Sequence, residues 1–198
     1  MSVTYTNRKG VTYYLCRGLT KAGKPRYYFA REPRDEPVEQ VPAGYKITES
    51  VNAVVSLARD VPGQILPEEV AAVEAAVRRH PRSGNYRVAV KRDRIEVCER
   101  TGPDVEALAS IFRRAGVSGP GLTADLQAVS ERDSRYKPEL RFILVDAERR
   151  TFRAQRRCYR SSLYGWLDLW GDGASATAAE LAHRLVPTLG TDEFFELY

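Results

Sequence analysis

The first 60 residues alternate between short runs of β-branched or aromatic residues and turn-forming segments. Residues 11–16 and 26–30 form two such runs, and the segment between them contains Gly23 and Pro25. Two runs of this kind around a glycine-containing segment are typical of a β-hairpin. We therefore predict that the amino-terminal region begins with a hairpin.

A second hairpin is predicted further along, with residues 45–48 and 53–57 as its strands. Between the two hairpins, residues 32–42 hold three prolines and four acidic residues. Because proline cannot donate a backbone hydrogen bond to a strand ladder, we predict a connector there rather than a strand. Together these segments predict an antiparallel β-meander.

After the sequence Val-Pro-Gly at residues 61–63, the apolar positions change from alternation to helical spacing. Residues 67–79 begin with proline and two glutamates, place three valines on one face and end with two arginines, all of which favour a helix. Alternating runs follow at residues 86–90 and 95–97, and residues 105–115 return to helical spacing. This order predicts an α-β-β-α unit.

The last third of the chain predicts a further β-hairpin and a carboxy-terminal helix. Residues 141–145 and 151–159 are the two hairpin strands, and Thr177 with Glu180 forms the capping-box pattern that starts a helix. We therefore expect an α+β fold with a small basic β-meander over residues 1–60 and an α+β domain over residues 64–198. Whether the two pack as one unit stays open.

Composition places the chain among folded proteins. Of its 198 residues, 43% are hydrophobic and 29% are charged, which is typical of globular domains. Three widely spaced cysteines favour neither a disulfide framework nor a zinc site, and the polar first ten residues lack the apolar core of a secretion signal. No run approaches the roughly 18 apolar residues of a membrane helix. We expect a cytoplasmic protein that does not enter a membrane.

Charge is concentrated near the amino terminus. The formal net charge is +5, and residues 1–31 hold seven lysines and arginines without one acidic residue. Tyrosines alternate with these cations, and strand geometry places Tyr14, Arg26 and Tyr28 on the face opposite Val11, Tyr13, Leu15, Tyr27 and Phe29. Cations bind phosphates and aromatic rings stack on bases, so the outward residues predict contacts to DNA or RNA. These contact residues are Tyr14, Lys21, Lys24, Arg26 and Tyr28.

An ordinary half-exposed sheet explains the same pattern if the acidic connector at residues 32–39 neutralises it. A second basic row adds to the first interpretation. Arg141, Arg153 and Arg157 share one parity in the predicted third hairpin. Further charge is expected at its turn and edges from Arg149, Arg150, Arg156 and Arg160. We expect the first three to extend a nucleic-acid-binding surface, although a solvated strand face accounts for them equally well.

Two other functions stay open. A cluster near the carboxy terminus could bind a protein partner or a second copy of the chain, and its members are Trp166, Trp170, Phe194 and Phe195. Asp168, Asp172 and Glu180 could hold a magnesium ion if they converge, which would make the protein a metal-dependent enzyme.

Catalytic signatures are weak. No phosphate-binding loop or nucleophile motif occurs, and His80 and His183 are expected to be structural. We expect no cofactor, and the pattern assigns no catalytic or metal-binding residue.

Three stretches carry a resemblance: TYYLCRGLTKAGKPRYYFAREP, PAGYKITESVNAVVSL and RFILVDAERRTFRAQRRCYRSS. They resemble a group of bacterial hypothetical proteins over about two thirds of the chain. That group has no assigned activity, so the resemblance implies neither a site nor a substrate. The first meander is also loosely similar to the three-stranded arm-binding domains that precede some tyrosine recombinases, but no recombinase catalytic block follows it.

Overall fold

Helices and antiparallel strands together make an α+β fold, as the sequence predicts. The computed structural model describes residues 2–33, 35–102, 105–117, 119, 121–158, 165–169 and 175–196. The chain divides into two compact units, Met1–Pro62, called unit 1, and Gly63–Tyr198, called unit 2.

Unit 1 is built from two antiparallel sheets. Its strands are β1 (Thr4–Thr6), β2 (Thr12–Leu19), β3 (Pro25–Ala30), β4 (Glu36–Pro37), β5 (Tyr45–Glu49) and β6 (Val55–Arg59). Strand β2 is central in the first sheet, because β1 and β4 pair along one edge and β3 pairs along the other. Strands β5 and β6 form the second sheet as a hairpin. Leu15 and Cys16, neighbours on β2, are both fully buried, so both faces of the first sheet are covered at this point.

The connector between the hairpins contains a strand that the sequence did not predict. Glu36 and Pro37 pair with Arg17 and Cys16 of β2. The Val38 amide donates to the Leu15 carbonyl at 3.0 Å, and the Val3 amide donates to the Val38 carbonyl at 2.8 Å. The prediction of a strandless connector is therefore wrong here, because proline is tolerated in a short strand at a sheet edge.

Unit 2 is a five-stranded antiparallel sheet with helices. Its strands, in spatial order β11-β10-β9-β8-β7, are β7 (Tyr86–Val90), β8 (Arg94–Thr101), β9 (Arg135–Asp146), β10 (Thr151–Cys158) and β11 (Gly165–Asp168). The helices are α1 (Pro67–Arg79), α2 (Val105–Arg114), α3 (Leu122–Asp133), α4 (Ala178–Leu185) and α5 (Asp192–Glu196). The α-β-β-α unit, the further hairpin and the carboxy-terminal helix are all confirmed.

One face of this sheet carries the core of unit 2. Helices α1 and α4 pack together and against β7 and β10. The buried side chains between helices and sheet include Val73, Ile95, Leu140, Phe142, Phe152, Leu181, Leu185 and Phe194. Because side chains alternate along each strand, the residues next to these in sequence lie on the opposite side of the sheet, which we call the open face.

Strand β9 begins six residues before the predicted strand, at Arg135, and pairs with β8 from the Thr101 position onward. Pro138 lies within it, opposite Cys98, at the register shift between Val97 and Cys98. A bulge is one of the few sheet positions that accept proline, which is why the strand continues through it. Among the described residues, no helix has the length and apolarity needed to cross a membrane.

Candidate functional site

The outer half of the β2–β3 hairpin projects from unit 1. Residues 19–27, which we call the ribbon, are all exposed, whereas Leu15 and Cys16 near its base are fully buried. The turn closes when the Thr20 amide donates to the Lys24 carbonyl at 2.8 Å, and Gly23 occupies the left-handed region with φ of 74°. The ribbon therefore consists of the turn and the adjoining ends of two paired strands, and none of its residues is buried.

The ribbon carries positive charge that is not neutralised locally. Lys21, Lys24 and Arg26 are exposed, and no carboxylate of the described residues lies within ion-pair distance of them. Further down the hairpin, Arg17 pairs with Glu36 of the connector at 3.7 Å. The acidic connector thus neutralises the base of the hairpin but not its tip.

The tyrosines of the first sheet differ in their exposure from what the sequence predicted. Tyr14 and Tyr28 are half-buried, and the Tyr28 hydroxyl donates to the Asp35 carboxylate, which raises the pKa of Tyr28. The Arg26 guanidinium lies over the Tyr28 ring, 5.1 Å from its centroid. Tyr27 was expected to face the core, yet the residue is 39% exposed because the ribbon extends beyond the buried part of the sheet. Tyr27, rather than Tyr14, is the exposed ring beside the ribbon cations.

The three arginines predicted for the third hairpin do share a face. Arg141, Arg153 and Arg157 lie on the open face of unit 2, opposite the fully buried Phe142 and Phe152. Arg153 is exposed, and Arg141 and Arg157 are half-buried. Trp166 of β11 pairs directly with Arg157 and reaches the same face.

Two other arginines of this hairpin are not surface cations. Arg156 is only 6% exposed and donates to the Phe195 carbonyl at 2.9 Å. Arg150 donates to both carboxylate oxygens of Glu69, at 2.8 and 2.6 Å. The expectation that they add edge charge is wrong, because Arg156 is itself buried and Arg150 is paired with the buried carboxylate of Glu69. Arg160 lies outside the described residues.

The predicted carboxy-terminal aromatic cluster is divided between the two sides of the sheet. Phe194 is 1% exposed and belongs to the core under α1 and α4, whereas Trp166 lies on the open face. Phe195 is 51% exposed, and Trp170 lies outside the described residues. Trp166 and Phe194 therefore do not form one contact surface.

The predicted acidic ligands have other partners. Asp168 accepts a hydrogen bond from Gln155 at 2.9 Å, and Glu180 accepts from the Thr177 amide at 3.0 Å as the cap of α4. Asp172 lies outside the described residues. Within the described residues, no group of three or more metal-ligating side chains is close enough to hold an ion.

The two histidines, distant in sequence, line neighbouring cavities between α1 and α4. A cavity of about 520 Å³ is lined by His183, Arg79 and several alanines, and one of about 200 Å³ is lined by both histidines. The Nδ1 atom of His80 accepts from the Arg82 amide at 3.1 Å, so Nε2 carries the hydrogen and donates to the Leu189 carbonyl at 3.2 Å. Both ring nitrogens of His80 thus have backbone partners, as expected of a structural histidine.

Sequence reasoning missed the polar partners of the open face. Gln155 links Arg141 to Asp168, and Trp166 was assigned to an apolar cluster instead. A signal was present, since Arg153, Gln155 and Arg157 alternate along one strand. Finding Trp166 beside them required the pairing of β11 with β10, which has no short-range signature.

In comparisons with known proteins, no family model, curated protein or solved structure matches this chain. Its function must therefore be argued from its own surfaces.

Proposed function

We propose that the protein binds nucleic acid, and that the ribbon enters a groove of duplex DNA. The observation that carries this proposal is the exposure of residues 19–27 on both faces, together with three cations that no described carboxylate neutralises. Phosphate contacts from lysine and arginine supply most sequence-independent affinity for DNA.

The shape of the ribbon favours duplex DNA over duplex RNA. The major groove of B-form DNA is about 12 Å wide and admits a two-stranded β-ribbon. The major groove of A-form RNA is too deep and narrow for side chains to read. Lys21 and Lys24 at the turn and Arg26 on β3 would contact phosphates along the groove, with Tyr27 beside them.

The predicted contacts Tyr14 and Tyr28 do not stack on bases in this proposal. Both are half-buried, and the ring of Tyr28 lies under the Arg26 guanidinium. A guanidinium held on a ring loses less side-chain entropy on binding than a free one. We therefore assign Tyr28 to positioning Arg26 rather than to stacking on a base.

The test measures binding of a labelled duplex of about two helical turns by fluorescence anisotropy, between about 50 and 200 mM salt. The double variant K24Q/R26Q removes two cations from the ribbon. If each cation neutralises one phosphate, the slope of log affinity against log salt should fall by about 0.9 for each cation removed.

A matched control removes the same charge from the other hairpin of unit 1. Lys46 and Arg59 are exposed on β5 and β6, and Lys46 pairs with Asp60 at 3.0 Å. The K46Q/R59Q variant should bind as the wild type does. Equal losses in both double variants, unchanged binding by K24Q/R26Q, or no salt-dependent binding by the wild type would each refute the proposal.

A further inference from the structure

The open face of unit 2 brings together a ring and several guanidinium groups from three neighbouring strands. Gln155 of β10 lies between Arg141 of β9 and Asp168 of β11, and Arg157 lies directly opposite Trp166. The side chains of Arg153 and Asp168 are 45% and 38% exposed, so this part of the face is open to solvent.

The indole of Trp166 lies among planar cations. The guanidinium carbon of Arg141 is 4.0 Å from the ring centroid, and that of Arg157 is 5.6 Å from it. Both distances fall in the range of a cation–π contact. The ring and the two guanidinium groups therefore form one contact cluster, in which the half-buried indole keeps only part of its surface exposed.

Hydrogen bonds hold this surface in place. Nε of Arg141 donates to Oε1 of Gln155 at 2.7 Å, and Nε2 of Gln155 donates to Oδ1 of Asp168 at 2.9 Å. Asp168 also pairs with Arg153 at 3.6 Å. Because these contacts fix the rotamers before any ligand arrives, binding costs little additional side-chain entropy.

The charge of the open face is positive where the ring lies. Arg94 is neutralised by Glu96 at 2.8 Å and by Asp93 at 3.1 Å, and Arg153 is neutralised by Asp168. Arg141 has no carboxylate within ion-pair distance among the described residues, and its contacts are with Gln155 and Trp166. Burial lowers the pKa of Arg141, and the nearby positive charge of Arg94 lowers it further. The carboxylates of Glu96 and Asp168 raise the pKa of Arg141 in turn, but neither lies within ion-pair distance of it, so an anion bound here would pair directly with the guanidinium.

We propose that the open face binds unpaired nucleotides of a single-stranded nucleic acid, with a base on Trp166 and its neighbouring phosphate on Arg141. Single strands offer free base faces next to their phosphates, and base stacking on an aromatic ring tolerates any sequence. A duplex offers no free base face, because its bases are stacked inside the helix. This site uses residues of unit 2 alone and none of the ribbon, so it does not depend on the proposed ribbon contacts.

The test uses the full chain and a labelled oligothymidylate of about ten nucleotides, with a duplex as comparison. The W166L variant keeps an apolar side chain but removes the ring, and W166F keeps a smaller ring. Single-strand affinity should fall about tenfold in W166L, because the base loses the ring on which it stacks. It should fall less in W166F, and duplex affinity should change less than about twofold in either variant.

The R141Q variant is the second arm, because it leaves the indole in place and can be studied even if a Trp166 variant does not fold. It should also weaken single-strand binding and lower its salt slope by about 0.7. The matched control is R149Q, since Arg149 is an exposed cation at the turn of the same hairpin.

Several outcomes would overturn the proposal. The first is that R141Q binds the single strand as tightly as the wild type does. The second is that R149Q weakens single-strand binding as much as R141Q does. The third is that W166L loses single-strand and duplex affinity to the same extent. Displacement of the oligonucleotide by an equal concentration of thymidine monophosphate would instead show a site for free nucleotides. The ribbon proposal fails separately, through the duplex affinity of K24Q/R26Q.

Discussion

A bidentate ion pair ties the turn after β9 to the start of α1. Arg150 donates to both oxygens of Glu69 and also to the Gln64 carbonyl at 2.9 Å. Glu69 accepts a further hydrogen bond from the Leu66 amide at 2.7 Å, which caps α1. The carboxylate of Glu69 therefore joins the start of α1 to the hairpin turn. We expect its partner Arg150 to contribute more to the stability of the fold than a surface cation does.

We predict that Arg150→Ala lowers the free energy of unfolding by about 2 kcal/mol, since it leaves a largely buried carboxylate without its cation. The partial exposure of Arg150, 27%, keeps this below the cost for a fully buried pair. Urea denaturation followed by circular dichroism measures the loss.

Arg149→Ala is the matched control in the same turn. Arg149 is 84% exposed and 3.9 Å from Asp146, so its loss should change stability by less than about 0.5 kcal/mol. Similar losses for the two variants would show that the Glu69 contact does not stabilise the fold.

At the residue scale, residue type and spacing predicted the positions of some side chains but not of others. Alternation along β10 is a local property, so the shared face of Arg153 and Arg157 could be predicted from the sequence. Whether an arginine is exposed or buried depends on acceptors far along the chain, which is why Arg150 and Arg156 were wrongly expected to be surface charges.

At the scale of elements, the β7–β8 hairpin buries two weak acids. Burial raises the pKa of the Cys98 thiol to about 12, and burial likewise raises the pKa of Tyr86. An unfolded thiol has a pKa near 8.5. Between these values the unfolded chain releases the Cys98 proton while the folded chain keeps it, so rising pH favours unfolding.

We predict that the free energy of unfolding falls as the pH rises from about 9 to 11, with Cys98 contributing up to about 1.4 kcal/mol for each pH unit. Urea denaturation at several pH values gives the slope. Cys98→Ala and Cys98→Ser both remove the titrating group, and both should flatten the slope whatever their stability at neutral pH. A slope equal to that of the wild type in both variants would contradict the assignment.

The strands that sequence reasoning missed are short, since β1, β4 and β11 have three, two and four residues. Strand β4 has two residues and exists because the connector returns to the edge of β2. Strand β11 has four residues and pairs antiparallel with β10, the strand that precedes it in the chain. Short segments carry too little periodicity to be recognised, and their hydrogen-bond partners are set by the path of the chain.

At the scale of the whole molecule, the two units differ in how much they bury. The buried apolar residues of unit 1 include Leu15, Cys16, Ala53 and Val55, whereas unit 2 encloses a core to which strands β7 to β10 and helices α1, α4 and α5 contribute. A domain of about 60 residues buries a smaller fraction of its surface than a larger one does. Unit 2 should therefore be the more stable of the two.

We predict that a fragment of residues 63–198 unfolds cooperatively in urea, with a midpoint close to that of the main transition of the full chain. A fragment of residues 1–62 should unfold at a lower urea concentration. Circular dichroism of both fragments and of the full chain provides the measurement. A fragment of residues 63–198 without a cooperative transition would show that the core of unit 2 does not fold alone. A fragment of residues 1–62 with the higher urea midpoint would contradict the predicted order of stability.

The sequence alone determined the class of the fold, the principal hairpins and helices, and the concentration of cations near the amino terminus, because side-chain periodicity, capping and charge are local properties. Only the tertiary structure decided that the ribbon tip stays exposed while its base is neutralised by Glu36, and that Trp166 meets Arg141 on the open face. Those contacts join residues far apart in the chain. They depend on strand order and register, which follow from the packing of the whole unit rather than from any short stretch of residues.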